Sequence, residues 1–238
     1  MNLIDTHFHL DFYRDHKYWY EYINQNRQYT LCVTNSPGVY YSCKRLYPET
    51  KYLKFALGFN PKNISSERFD QKLFNHLCGE TKYIGEVGLD FTGNLNIQQN
   101  EQIHCFDYIC SVASDNQVLS VHSKNAEKVV LNILRKNNVK RAIMHWYSGS
   151  IDTLEQLINC GYYFSINSNM LSSSKGKSII SRIPTERILI ESDGPFTKIN
   201  SQKYYPSRLH DVYYMLGEFL KCSEVEKMVW NNYKKLIE

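Results

Sequence analysis

The stretch "IDTHFHLD", residues 4–11, carries Asp5, His7, His9 and Asp11 on alternate positions near the start of a 238-residue chain. An extended strand sends residues i, i+2 and i+4 to one side. The spacing therefore predicts a strand from which Asp5, His7 and His9 leave together, with the two imidazoles forming a chelating clip. A doubly wound sheet would follow its first strand with a glycine-rich phosphate loop. Here the first strand runs into HFHLD instead.

Further short apolar runs recur along the chain. Strands are predicted at "LIDTHFH", "YTLCVTN", "LKFALGF", "KYIGEVG", "QVLSVHS", "RAIMHWY", "YYFSINS" and "RILIESD". Helical spacing fills the intervals, as in "NEQIHCFDYI" continuing into "CSVASDN", "NAEKVVLNILRKN" and "SIDTLEQLINC". Two more helices are expected after Pro206. Strands alternating with helices over this length predict an α/β fold, a (β/α)8 TIM barrel, whose usual size is about 250 residues. No Gly/Ser/Pro-rich linker or low-complexity tract interrupts the chain, so one domain over 1–238 is expected.

Hydrophobic residues make up 42% of the chain, enough for a sizeable core, and the net charge of +4 tolerates a polyanionic partner without requiring one. No run approaches the roughly 18–20 apolar residues of a membrane span, and no signal peptide is evident. The seven cysteines form no CxxC pair. They are read as small buried side chains in a reducing compartment, which places the protein in the cytoplasm; a monomer is the default expectation. Most of the 19 tyrosines are read as core and surface filling.

The metal-competent side chains fall at the predicted strand ends. His7 and His9 end the first strand, Glu86 the fourth, His122 the fifth, His145 the sixth and Asp193 the eighth. In a barrel the C-terminal strand ends converge on one face, where catalytic groups collect. Singly, each has a bland reading: a hydrogen-bonded barrel histidine, or a turn Asp before Gly194-Pro195. Together they make a constellation, whereas His16, His76, His104 and His210 lie in helices or loops and receive no role. Four His and two carboxylates exceed one tetrahedral site with an open position. They suit two divalent ions, about 3.5–4 Å apart, sharing a carboxylate in a displacement at phosphorus.

The motifs "DTHFHLD", "ALGFNP", "GEVGLDF", "VHSK", "HWYSGS" and "ESDGPF" occur in the order of the TatD family of metal-dependent hydrolases, which the chain resembles nearly end to end. The resemblance implies a divalent-metal deoxyribonuclease, a 3′-to-5′ exonuclease on single-stranded DNA. It makes His7 and His9 ligands of the first ion, Glu86 the bridge, and His122 and His145 ligands of the second. Asp193 then binds the first ion and accepts a proton from the attacking water. Glu191, two residues before Asp193, and Asp90, after Glu86, are candidates to orient a ligand or touch substrate. Lys124 stands where the family commonly has Arg, which keeps a charge but loses the bidentate fork. Asn60 replaces a usual His, and "INSQKYYPSRL" replaces an RNEP-like segment, so the divergence falls on substrate contacts. The short chain and diverged loops are also similar to the TatD-like component of the Qat anti-phage defence operon, implying protein partners in a defence complex.

Phe12, Phe91, Trp146 and Tyr147 are candidate platforms for stacking bases, and each reads equally well as barrel packing. Three functions stand at this point. The first is a two-metal DNase, the second a hydrolase of a small amide, ester or phosphoester, and the third a non-catalytic subunit with structural metals. The donor set accepts Mg, Mn, Zn, Fe or Ni.

Overall fold

The computed structural model describes residues 3–93 and 95–238. Eight strands follow one another: β1 (Ile4–Phe8), β2 (Tyr29–Val33), β3 (Leu53–Ala56), β4 (Tyr83–Asp90), β5 (Val118–Lys124), β6 (Ala142–His145), β7 (Tyr163–Ile166) and β8 (Ile188–Ile190). Between and after them lie α1 (His16–Gln25), α2 (Pro37–Leu46), α3 (Gln71–Cys78), α4 (Asn96–Val112), α5 (Glu127–Lys136), α6 (Ile151–Asn159), α7 (Ser168–Ser172), α8 (Ser174–Ile180), α9 (Leu209–Leu220) and α10 (Val225–Ile237). Successive strands pair in parallel from β1 to β3 and from β4 to β8.

Two seams join these arcs into a barrel. Gly85 N donates to Leu57 O and Leu57 N to Tyr83 O, at 2.9 and 3.0 Å, tying β3 to β4. At the other seam Asp193 N donates to His7 O at 2.9 Å and His9 N to Gly194 O at 3.0 Å. The fold is the expected TIM barrel. Both faces of the strands are buried, with side chains such as Phe55, Val87, Val121 and Phe164 at 0% exposure, as an enclosed parallel sheet requires. The helices cover it with apolar stripes: Val130, Leu131, Ile133 and Leu134 of α5 are all buried, each contributing roughly 1.5–3 kcal/mol.

Several helices start beside the C-terminal strand ends, and side-chain caps fix where. Val39 N donates to Ser36 Oγ at the start of α2, and Thr153 N to Ser150 Oγ at the start of α6. The "CSVASDN" segment is helical only to Val112. Its remainder turns, with Gln117 Oε1 accepting from Ser114 N at 2.8 Å and drawing the chain into β5. Of the cysteines, Cys32, Cys43, Cys78 and Cys110 are buried as expected, while Cys105, Cys160 and Cys222 are only half-buried; all seven are free thiols. No helix among the described residues is long and apolar enough to cross a membrane.

Candidate metal centre

Six side chains from five strands meet at the C-terminal face, although Glu86 lies in mid-β4 and His122 two residues inside β5, not at the strand ends as expected. His7 lies within β1 and His9 just past it, where the chain enters a 3₁₀ turn, Leu10–Phe12. Their Nε2 atoms are 3.3 Å apart. Each also faces Glu86 Oε2 and Asp193 Oδ1, at 3.8 Å from His7 and 3.5 Å from His9. A tetrahedral ion with bonds of about 2.1 Å has donor–donor edges of about 3.4 Å. The five edges between 3.3 and 3.8 Å are of the length that a coordination shell requires.

Glu86 turns its other oxygen toward a second group. Its Oε1 is 2.8 Å from His122 Nδ1 and 3.3 Å from His145 Nε2, and those nitrogens are 3.1 Å apart. Octahedral bonds of about 2.1 Å give cis edges of about 3.0 Å, and three donors leave positions open. The two oxygens of one carboxylate thus belong to two donor groups, and either group is chemically suited to a divalent ion.

The charges agree with a ligand role for Glu86. Burial pushes its carboxyl up, but hydrogen bonds with His122, His145 and His7 hold it well below the usual range. Burial also disfavours charge on His145, yet Glu191 and Glu86 beside it raise it well above an ordinary histidine. His7 is lowered, by burial and then by neighbouring His145.

Outer contacts fix the rings. Asp90, a candidate to orient an imidazole, has its Oδ2 3.1 Å from His122 Nε2. Glu191, fully buried, faces His145 Nδ1 at 3.3 Å and is held by Asn167 Nδ2 at 2.9 Å and by the Ser165 hydroxyl. His7 Nδ1 is 2.8 Å from Ser120 Oγ. Such partners set tautomer and ring direction, and their loss typically lowers metal affinity or activity about 10–100-fold. Glu191→Gln should therefore weaken metal binding or turnover about 10–100-fold while the protein stays folded, as read by metal titration.

Asp5 does not join the donors. Its Oδ1 accepts from His7 N at 3.2 Å and Ser192 N at 2.9 Å, and burial, against those bonds, pushes its carboxyl up to about 7. The pairing of β1 with β2 shifts register between Asp5 and Phe8, so simple alternation does not carry all three side chains to one place. Asn60 donates to Glu86 Oε2 at 2.6 Å, which spends its amide on the ligand.

Glycine at two positions lets the strands close around the donors. A Cβ at Gly58 would lie 2.0 Å from Thr34 O and 2.5 Å from both Gly85 O and Glu86 N. Gly88 takes φ +130 with His122 O only 2.0 Å from where a Cβ would be. The Gly85–Glu86 peptide is cis.

Above the donors opens a cleft of about 590 Å³. Phe12 and Phe196 stand on one wall, 45% and 51% exposed, with ring centroids 5.0 Å apart and 5.5 and 5.2 Å from His9. Lys62, Lys124 and Trp146 also line it, and Lys62 Nζ is 3.4 Å from Asp90 Oδ2. Trp146 has φ 39, a backbone turn that bulky side chains rarely adopt outside functional sites. Tyr147 is no stacking platform: it is 1% exposed, donates to Ser150 O and packs edge-on to Phe164, away from the cleft. Phe91 likewise packs against the core rather than lining the cleft. Phe196 and Lys62 were not singled out in the sequence, although "ESDGPF" contains the one and Lys62 follows Asn60 by two residues.

A family profile described as TatD related DNase matches residues 4–238. An uncharacterized metal-dependent hydrolase of Buchnera aphidicola is 24% identical over 220 residues, 82% of each chain. The deoxyribonuclease Tat-D of Schizosaccharomyces pombe is 30% identical over 125 residues, 51% of this chain and 40% of its own. Among solved structures, the TatD homolog YjjV of Escherichia coli superposes with a TM-score of 0.87 at 21% identity, covering 98% of this chain and 97% of that one. A TatD family hydrolase of Entamoeba histolytica gives 0.81 at 16% identity, covering 99% and 98%. At such identities the structural likeness speaks for the fold, and the full-length profile match supplies the kinship: the chain belongs to the TatD-related DNase family of metal-dependent hydrolases acting on ester bonds.

Proposed function

We propose that the protein hydrolyses phosphodiester bonds of single-stranded DNA, shortening it from the 3′ end, with two divalent ions sharing Glu86. The observation that carries this reading is the division of the Glu86 oxygens between two donor groups at the floor of a cleft with aromatic and basic walls. Bound there, divalent ions would acidify a water and offset charge building on phosphoryl oxygens. The chain's own groups do the rest. Asp193, hydrogen-bonded through its backbone to His7 O and turned into the cleft at φ 47, holds a carboxylate where an attacking water can give up its proton. Asp90 and Glu191 keep the His122 and His145 rings from rotating.

Phe12, Phe196 and Trp146 present π-faces to bases, while Lys62 and Lys124 lie where phosphates pass. Stacking on one aromatic is worth about 1–3 kcal/mol per base, so Phe196→Ala should raise KM for an oligonucleotide roughly 5–100-fold with a smaller change in kcat. Polarity follows the family resemblance and is read directly. A single strand labelled at its 5′ end and incubated with Mg²⁺ or Mn²⁺ should shrink through a ladder of intermediates, and a chelator should stop it. Immediate release of the label as a mononucleotide would reverse the polarity. An uncut strand, with metal present on the protein, would remove the nuclease reading in favour of small esters or amides.

A further inference from the structure

The segment after Asp193 builds a feature that the metal chemistry does not use. Residues 194–210 contain no Asp or Glu but carry Lys198, Lys203 and Arg208, and Arg208 is already paired with Asp211. Lys198–Ile199 and Gln202–Lys203 form an antiparallel hairpin, β9 and β10. Asn200 and Ser201 at its tip have φ 52 and 64, the left-handed pair that a two-residue hairpin turn of matching twist requires. This register sets Lys198 directly opposite Lys203.

Residues directly opposite in an antiparallel pair share a face, with Cβ atoms about 5 Å apart, and like charges in that relation destabilise the pair. Among the described residues neither ammonium pairs with a carboxylate. Lys203 Nζ instead lies 4.8 Å from the centre of the Tyr13 ring. Ser168 Oγ donates to Lys198 O, anchoring the hairpin over the start of α7. Both anchors sit at the C-terminal strand ends, on the same face as the donors. Each lysine also neighbours a cleft aromatic: Lys198 is two residues past Phe196, and Tyr13, under Lys203, follows Phe12.

A hairpin that sets two lysines opposite each other at the rim, neither on a carboxylate, is a local conflict that a bound anion relieves. We infer that Lys198 and Lys203 form a phosphate-binding subsite for a single-stranded nucleic acid, gripping the backbone of nucleotides that lie outside the cleft beyond Phe12 and Phe196. This rests on the nuclease reading for the identity of the polyanion. The subsite acts on strands long enough to reach the hairpin and gives affinity without base preference.

The test is binding of the metal-loaded protein to a fluorescent phosphorothioate thymidine strand of about ten nucleotides, chosen to resist cleavage. Dissociation constants are measured across a salt series for wild type and for Lys198→Gln/Lys203→Gln. The control is Lys51→Gln/Lys140→Gln, which removes the same charge from loops before β3 and β6, at the opposite end of the barrel. Two lost phosphate contacts should weaken binding about tenfold at moderate salt and lower the slope of log K against log salt by about 1.4. The control should match wild type. Unchanged affinity and slope in the hairpin variant, or an equal loss in the control, would overturn the subsite. Cleavage is scored separately on an ordinary strand. Normal cutting with an unaltered slope rejects the hairpin alone, whereas a strand held through the hairpin but never cut rejects the nuclease reading and leaves the subsite standing.

Discussion

Glu86→Ala is expected to abolish strand cleavage, lowering kcat/KM by at least about 10³-fold, or about 4 kcal/mol of transition-state stabilisation. Glu86 offers one oxygen to each donor group: its Oε2 is 3.5 Å from His9 Nε2 and its Oε1 is 2.8 Å from His122 Nδ1. Removing it takes one anionic donor from each group at once and leaves buried imidazoles facing one another without the charge that offsets them. Metal content per chain, measured by elemental analysis, should fall with activity, while circular dichroism should stay close to wild type because the barrel seams do not run through this side chain. Glu86→Gln, which keeps the shape and loses the charge, should be nearly as inactive. Asp90→Asn, one contact further out, should cost only about 10–100-fold. A folded Glu86→Ala protein that still cuts DNA at wild-type rate would defeat the assignment of the bridge.

Gly58→Ala is expected to be severe for a different reason. All three atoms crowding the new methyl group belong to backbone: Thr34 O at 2.0 Å, Gly85 O at 2.5 Å and Glu86 N at 2.5 Å. No rotamer change relieves them, so β2, β3 and β4 must part where Glu86 is delivered. Overpacking against backbone belongs among the mutations that cost about 4 kcal/mol or more, lowering Tm by roughly 10 °C for a chain of this size, or preventing soluble expression. Gly79→Ala is the matched control: nothing lies within 4 Å of its new Cβ and its backbone is already helical. A thermal melt of Gly58→Ala within a degree or two of the control would show that the strands can separate cheaply there.

The convergence of six metal-competent side chains was readable from the sequence because a barrel tells where its strands lead. His7, His9, Glu86, His122, His145 and Asp193 could be placed together without knowing any torsion angle. What surrounds them depends on torsions that composition does not encode. Trp146 and Tyr147 are adjacent aromatics after the same ligand, yet the positive φ of Trp146 turns one into the cleft and the other into packing on Phe164. Asn60, expected to address substrate, bonds the Glu86 carboxylate because β3 and β4 approach closely at Gly58. Strand β8 stops at Ile190, three residues short of Asp193, so the last of the six is set by a turn and by backbone bonds to β1 rather than by strand geometry. The INSQ tip read as a loop, and its pairing into a hairpin rests on two left-handed residues of which neither is glycine.

The seam between the first and eighth strands has a consequence for biosynthesis. Asp193 N reaches His7 O, and Ser192 N reaches Asp5 Oδ1 across 187 residues of chain, so the donors near the start remain incomplete until the last barrel strand is made. A chain still on the ribosome, or one released early, therefore has His7 and His9 in hand but no Asp193 to finish the shell. With Asp193 in the proposed role, hydrolytic competence would arrive with barrel closure, and a truncated product would carry the motif without the activity.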